Sequence, residues 1–258
     1  MKIANRTLPW LLALGLLSSC SGSSKLRTID NAMLSMVPET AMGPISEARA
    51  KRDSAEDALA VAKRNLKLAE EEEDLSRASL KRYKARYEEA EVAMKIAEED
   101  GTAARIQDAS HEYSYAAARS EQARTGLVAA ERGLSRSELA LKTSEEAHRH
   151  ALARVELEKA TALQSVDRGD ARAVEIEEFR KQFEDSDKKL KKLRDKLERA
   201  DRRYVEAQEK WEAAVQEAKE LEQRLQPAAP QTQPQTQPQP DPIDLQPADL
   251  QPAESSPK

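Results

Sequence analysis

A seven-residue apolar repeat runs through most of the sequence, from Ile45 to Leu225. Residues at the first and fourth positions of each heptad, here called a and d, share one side of an α-helix, so the repeat predicts helices packed as coiled coils. Charged residues make up 34% of the chain and aromatic residues only 3%, which excludes a thick globular core. Because no stretch shows the alternation of a β-strand, we predict an all-α fold of long helices.

The first interruption of the repeat is Asp100-Gly101-Thr102. Glycine suits the left-handed residue that ends a helix, and threonine is a good N-cap for the next helix. The heptad also restarts in a new phase after Gly101. We therefore predict two helices, over about 45–99 and 103–166, that fold into an antiparallel coiled-coil hairpin.

The facing layers of this hairpin set large residues against small ones. Six of the first eight d residues of the repeat are alanine. When a residues are paired with d residues in antiparallel register, Leu80 meets Ala123, and the bulky Tyr83 meets Ser120. Alternation of large and small residues fills the space between helices without voids, and this agreement supports the hairpin.

The second interruption, Asp167 to Ala171, repeats the pattern of the first, but the heptad phase continues through it. A turn at Gly169 would fold a third helix, over about 171–225, back along the second one. This up-down-up three-helix bundle is the arrangement that we prefer. Its predicted layers set Phe183 on Ala151, Leu190 on Ser144, Tyr204 on Ala130 and Trp211 on Ala123. A stripe of small residues that would admit the third helix comprises Gly126, Gly133, Ala140 and Ala147.

Two alternatives to the bundle stay open at this stage. One is a helix that continues through Gly169 and projects beyond the hairpin. The other is an obligate oligomer, in which the third helix packs on a second copy of the chain. The unchanged heptad phase is compatible with both.

The N-terminus has the layout of an export signal over residues 1–19. Lys2 and Arg6 precede a short apolar run from Leu8 to Leu17, which is too short to span a bilayer as a stable helix. The run ends in Leu17-Ser18-Ser19-Cys20, and Cys20 is the single cysteine of the chain. These residues resemble the lipobox of bacterial lipoproteins.

The resemblance implies cleavage between Ser19 and Cys20 and acylation of Cys20, so that two or more acyl chains form a stable membrane anchor. Gram-negative lipoproteins retained in the inner membrane commonly carry Asp at the next position, where this chain has Ser21. The analogy implies a bacterial envelope protein on the outer membrane, facing the periplasm. Cleavage removes two positive charges from a chain of net charge −5, which argues against nucleic-acid binding.

We predict that residues 20–43 form a flexible spacer that begins with the lipidated cysteine and Ser21–Ser24. Within it, Ile29, Met33 and Val37 recur every four residues and indicate a short amphipathic helix that ends before Pro38. Packing of this helix against the base of the bundle is the preferred interpretation. Contact with a membrane or a partner is the alternative.

Residues 226–258 contain nine of the twelve prolines and no apolar period, so they predict a disordered tail with polyproline-II character. Fully extended at about 3.1 Å per residue, such a tail reaches roughly 100 Å. The motifs QTQP and DLQPA each occur twice. Replication slippage explains these repeats better than docking motifs do.

The order of lipid, heptad helix and final Lys258 weakly resembles the plan of Braun-type lipoproteins. Members of that family are joined to peptidoglycan through a C-terminal lysine. This chain departs from them in its length, its hairpin, its Pro/Gln-rich tail and the residues before the lysine. Covalent attachment through Lys258 is therefore an alternative, and the tail's predicted partner is an envelope protein or peptidoglycan.

The sequence carries no pattern of a catalytic, cofactor or metal site. His111-Glu112 lacks the second histidine of a zinc protease motif. Glu146 and His150, one helical turn apart, indicate a solvated pair. We predict a non-enzymatic, membrane-anchored lipoprotein that acts as a structural spacer, scaffold or tether. An accessory or regulatory factor for an envelope enzyme or secretion complex is the alternative, and a homo-oligomer stays open.

Overall fold

The computed structural model describes residues 26–166 and 174–225. Three long helices account for most of them, and no β-strand occurs within these two ranges. The helices are α1, Met42–Asp100, α2, Ala103–Gln164, and α3, Ile176–Leu225. Two short 3-10 helices, Asn31–Met36 and Glu39–Ala41, precede α1. The predicted all-α fold of long, mutually packed helices is confirmed.

Several predictions fall outside the described residues. They are the signal peptide, the lipobox with Ser19 and Cys20, the break around Gly169, and the tail that ends in Lys258. These features therefore stay predictions from the sequence.

The turn between α1 and α2 forms where the sequence places it. Gly101 has a left-handed φ of 71°, and its N–H donates to the carbonyl oxygen of Ala97 at 3.2 Å. Thr102 occupies the N-cap position of α2 with an extended backbone, although its side chain makes no capping hydrogen bond. With 59 residues in α1, the hairpin is about 90 Å long.

Alanine dominates the α1–α2 interface, as predicted. Tyr83 lies in the same grooves as Ala116 and Ala123, which flank its predicted partner Ser120. Nearer the turn, Tyr87 and Tyr113 bring their ring centroids to 5.2 Å and share a hydroxyl hydrogen bond of 2.6 Å. The buried alanines of this interface include Ala48, Ala62, Ala69, Ala90 and Ala97 on α1, and Ala116, Ala123 and Ala130 on α2.

The third helix runs back along α2, so the up-down-up order is confirmed and the continuous projecting helix is wrong. Its aromatic side chains lie on the predicted stripe of small residues. A Cβ added at Gly126 would stand 3.1 Å from Nε1 of Trp211, and one at Gly133 would stand 3.2 Å from Cε2 of Tyr204. Each glycine lies three residues from the predicted partner, and Trp211 lines one groove with both Gly126 and its predicted partner Ala123. A glycine lets a large ring approach the backbone more closely than an alanine does.

The bundle is open rather than closed. Each outer helix packs along α2, whereas α1 and α3 make few close backbone contacts with each other within the described ranges. The middle helix is consequently covered on two sides, which explains its many alanines and glycines. Within residues 26–166 and 174–225, no helix is long and apolar enough to cross a membrane.

The base of the bundle is closed by the segment before α1. Ile29, Leu34 and Val37 are buried there against Ile45 and Leu163, which are both fully buried. The short helix of this segment is 3-10, and it ends before Pro38 as predicted. Packing against the base is confirmed. The prediction of a flexible spacer is wrong over residues 26–43, because burial of these apolar side chains holds the segment in place.

Candidate functional site: the base of the rod

The lipidation and attachment residues predicted from the sequence are Ser19, Cys20 and Lys258, and all three lie outside the described residues. The described residues that follow Cys20 most closely in the sequence form the segment at the base, which begins six residues after it. We take the contacts between this segment and the three helices as the candidate functional site.

A buried ion pair on α2 holds the backbone of Ile29. Glu156 and Lys159 are only 7% and 6% exposed, and their side chains form a 2.8 Å contact between Lys159 Nζ and Glu156 Oε1. The N–H of Ile29 donates to Glu156 Oε2 at 2.6 Å. Lys159 Nζ also donates to the carbonyl oxygen of Ile29 at 3.5 Å. We call this arrangement of three residues the Ile29 clamp.

The clamp binds both backbone polar groups of Ile29, its N–H and its carbonyl oxygen. A shift of the segment by one residue would remove both hydrogen bonds and leave two charges buried without their backbone partners. Because an uncompensated buried charge is costly, the clamp specifies one register for the segment more than it adds net stability. The expected result is a rigid connection between the N-terminal segment and α2.

A second set of contacts links the same segment to α3. The backbone N–H of Arg27 donates to Gln182 Oε1 at 3.2 Å, and the Arg27 guanidinium pairs with Glu178. The apolar cluster below includes Phe179 of α3, which is 5% exposed. The segment thus crosses the ends of α2 and α3 and continues into α1, so all three helices meet at the base.

His150 lies at the α2–α3 interface and not in a solvated pair with Glu146, so that prediction is wrong. Its ring stacks on Phe183 with centroids 4.4 Å apart. The Ser186 hydroxyl donates to the Phe183 carbonyl at 2.8 Å, which leaves its oxygen to accept from His150 Nδ1 at 3.0 Å. Burial lowers the pKa of His150, although the nearby Asp187 carboxylate opposes the change.

An exposed apolar stripe on α1 was missed from the sequence. Val61, Leu68 and Leu75 are 44%, 62% and 72% exposed, and they follow one another at intervals of seven residues. The signal was available, because these residues occupy a third heptad position outside the a and d series. A stripe with this spacing is the pattern that a helical partner would pack against.

Among residues 26–166 and 174–225, no group of three or more His, Cys, Asp or Glu residues is placed to hold a metal ion. Comparisons with family models, with curated proteins and with solved structures gave no match. We therefore infer function from the geometry of the helices and of their ends.

Proposed function

We propose that this chain is a lipid-anchored lipoprotein of the bacterial envelope that works as a spacer and tether. The observation that supports the proposal is that residue 26 lies at the base and the end of α3 lies far along the rod from it. Arg27 contacts the first turns of α3 at the base. Toward the turn between α1 and α2, Arg119 pairs with Glu222, close to the end of α3 at Leu225.

The separation follows from helix geometry. The 50 residues of α3 rise about 75 Å between Ile176 and Leu225. With an anchor at Cys20, the base would face the membrane, and residues 226–258 would leave the rod about 75 Å from it. A tail that starts at this height would extend the reach by roughly 100 Å more.

The Ile29 clamp would join the rod firmly to the chain close to the proposed anchor. A rod sets a distance only when it is joined firmly to its anchor, and a long flexible linker would let it lie flat. The clamp fixes the chain at Ile29, so only eight residues separate it from the proposed anchor at Cys20. This geometry favours a rod that stands away from the membrane.

The anchor is tested by labelled palmitate in cells that express the full chain. We expect Cys20→Ala to abolish incorporation and to move the protein out of the membrane fraction, whereas Ser24→Ala changes neither. Incorporation that survives Cys20→Ala would refute the anchor. A fluorescence distance between the membrane surface and a dye at the end of α3 then tests the spacer, and a value far below about 75 Å would refute it.

The accessory-factor alternative is favoured by one observation, the stripe of Val61, Leu68 and Leu75. A photo-reactive amino acid at Leu68 tests it in cells, with Lys84 on the other side of α1 as the matched control position. A discrete adduct from Leu68 but not from Lys84 supports a helical partner on the stripe. An adduct of twice the chain mass identifies a second copy, and the same yield at both positions removes the alternative.

A further inference from the structure

A groove between α2 and α3 is lined by cationic side chains. Its core has a volume of about 300 Å³ and is formed by Arg132 of α2 with Lys196, Arg199 and Arg203 of α3. A neighbouring groove shares Arg132 and Arg203 and extends to Lys210. Among the described residues, none of α1 lines either part, so the groove lies on the side of α2 and α3 that α1 does not cover. Arg124 also lines the second part, where it pairs with Glu121, and the other five cations define the basic groove.

The basic groove gathers several cations whose charges are not neutralised by neighbouring carboxylates. Most other interhelical or exposed arginines pair with carboxylates, as Arg136 does with Asp201 and Arg202 with Glu198. None of the five groove cations forms an ion pair with another described residue, and Glu206 is the one carboxylate among the described residues that line the groove. In a chain of net charge −5, such a cluster indicates a site for an extended anion.

We propose that the basic groove binds the acidic segment of the chain's own tail, residues 241–254. Residues 226–240 contain no charged side chain. The negative charges of the tail then follow closely, as Asp241, Asp244, Asp249 and Glu254. The groove and the segment are therefore complementary in charge, and both belong to one molecule.

Their lengths also agree. Lys196 and Lys210 are 14 helical residues apart, or about 21 Å. In an extended chain of about 3.1 Å per residue, Asp241 and Asp249 lie roughly 25 Å apart. The near end of the groove lies about 22 Å below Leu225 along α3. The sixteen residues from Leu225 to Asp241 reach up to about 50 Å, enough to turn back and enter the groove.

Docking of this kind is weak per contact but favoured by tethering. Exposed ion pairs contribute little individually and are screened by salt. A tethered segment, however, meets its site at a millimolar effective concentration. The tail is then held along the rod at low ionic strength and released at high ionic strength. Docking shortens the reach of the tail under the proposed function, although it does not depend on the lipid anchor.

Photo-crosslinking of the full chain tests the docking directly. A photo-reactive amino acid replaces Leu245, and mass spectrometry maps the crosslinked peptides. We expect intramolecular crosslinks to the peptides that contain Arg132 and residues 196–210 at about 20 mM salt, and a loss on the order of tenfold at about 500 mM. Crosslinks that are absent at low salt, that map elsewhere, or that join separate chains would overturn the proposal.

Charge reversal gives the matched control. Arg199→Glu with Arg203→Glu should lower the crosslink yield on the order of tenfold, whereas Lys191→Glu with Lys219→Glu makes the same charge change on α3 outside the groove and should leave it unchanged. Adding Asp241→Lys and Asp244→Lys to the groove variant should restore the crosslink. Circular dichroism checks that every variant keeps its helices. Equal losses in both pairs of variants would overturn docking in the groove.

An external polyanion is the competing occupant, and heparin serves as its probe. Deletion of residues 226–258 should strengthen heparin binding, because it empties the groove. Equal binding by the full and shortened chains would assign the groove to an external ligand and overturn the proposal. Neither the crosslinking nor the heparin measurement involves Cys20. A failure of tail docking is therefore distinct from a failure of the lipid anchor in the palmitate experiment.

Discussion

The two interfaces of α2 are built on different principles. Toward α1, the layers are mostly alanine, as at Ala62 and Ala69, so each layer buries little apolar area and the backbones lie close together. Toward α3, large rings such as Trp211 and Tyr204 lie on glycines. The hairpin is thus held by many small contributions, and α3 by a few large ones. A single substitution should consequently lower the unfolding free energy more at the α2–α3 interface than at the α1–α2 interface.

The largest effect is expected at neither interface but at the base, where both end. Lys159→Met leaves the Glu156 carboxylate buried beside the Ile29 N–H without its cation. Breaking a buried pair in this way costs about 3 kcal/mol or more of unfolding free energy, measured by chemical denaturation. Unfolding free energy that stays within about 0.5 kcal/mol of wild type would show that Glu156 is not buried with its charge.

The double variant sharpens the result. Glu156→Leu with Lys159→Met removes both charges, so it should recover a large part of the stability. It should not recover the register of the segment. We therefore expect faster hydrogen exchange at the Ile29 amide in both variants, and wild-type exchange there would contradict the clamp.

The next effect separates the two interfaces of α2. Trp211→Ala should lower the unfolding free energy by about 2 kcal/mol, since it removes a large ring that is partly buried over Gly126. Ala69→Gly, at a buried layer of the hairpin, should cost about 1 kcal/mol, mainly through helix propensity. Chemical denaturation compares them, and a larger cost for Ala69→Gly would reverse the comparison.

Sequence reasoning succeeded where one local signal decided the structure. Gly101 ends α1 because only its left-handed conformation suits that turn, and the change of heptad phase shows the same boundary. The α2–α3 pairing was also predictable, since large residues of α3 face small ones of α2. The closest contact of Trp211 was not predictable, because Ala123 and Gly126 are both small and the ring lies in one groove with both of them.

The candidate site at the base was beyond sequence reasoning for a physical reason. Glu156 and Lys159 are three residues apart on a highly charged helix, where such pairs are ordinarily solvated. Their burial arises from the segment around Ile29 that folds across them. The spacing of Ile29 and Val37 indicated this packing, but nothing in the sequence indicated which charges would be enclosed.

A smaller effect tests the polar contacts that support α3. Arg119 is 22% exposed and binds Glu222 at 2.9 Å, while its Nε donates to the Tyr115 hydroxyl. A double-mutant cycle with Arg119→Met and Glu222→Gln should give a coupling free energy of about 0.5 kcal/mol. The coupling should shrink in high salt. A coupling that is zero at low salt would show that the aromatic layers alone hold this end of α3.

The smallest effect concerns pH and again involves only the α2–α3 interface. Burial against Phe183 lowers the pKa of His150 in the folded chain, against the opposing Asp187 carboxylate. Between the lowered pKa and the unfolded value of about 6.5, the unfolded chain binds more protons. Stability should therefore fall as the pH drops through this window and level off below the folded pKa.

His150→Gln should remove the part of the pH dependence that this histidine contributes, whereas His111→Gln on the exposed side of α2 should leave it in place. Denaturation at several pH values measures both variants, and an imidazole titration at or above the ordinary pKa in the folded chain would contradict the buried position of His150.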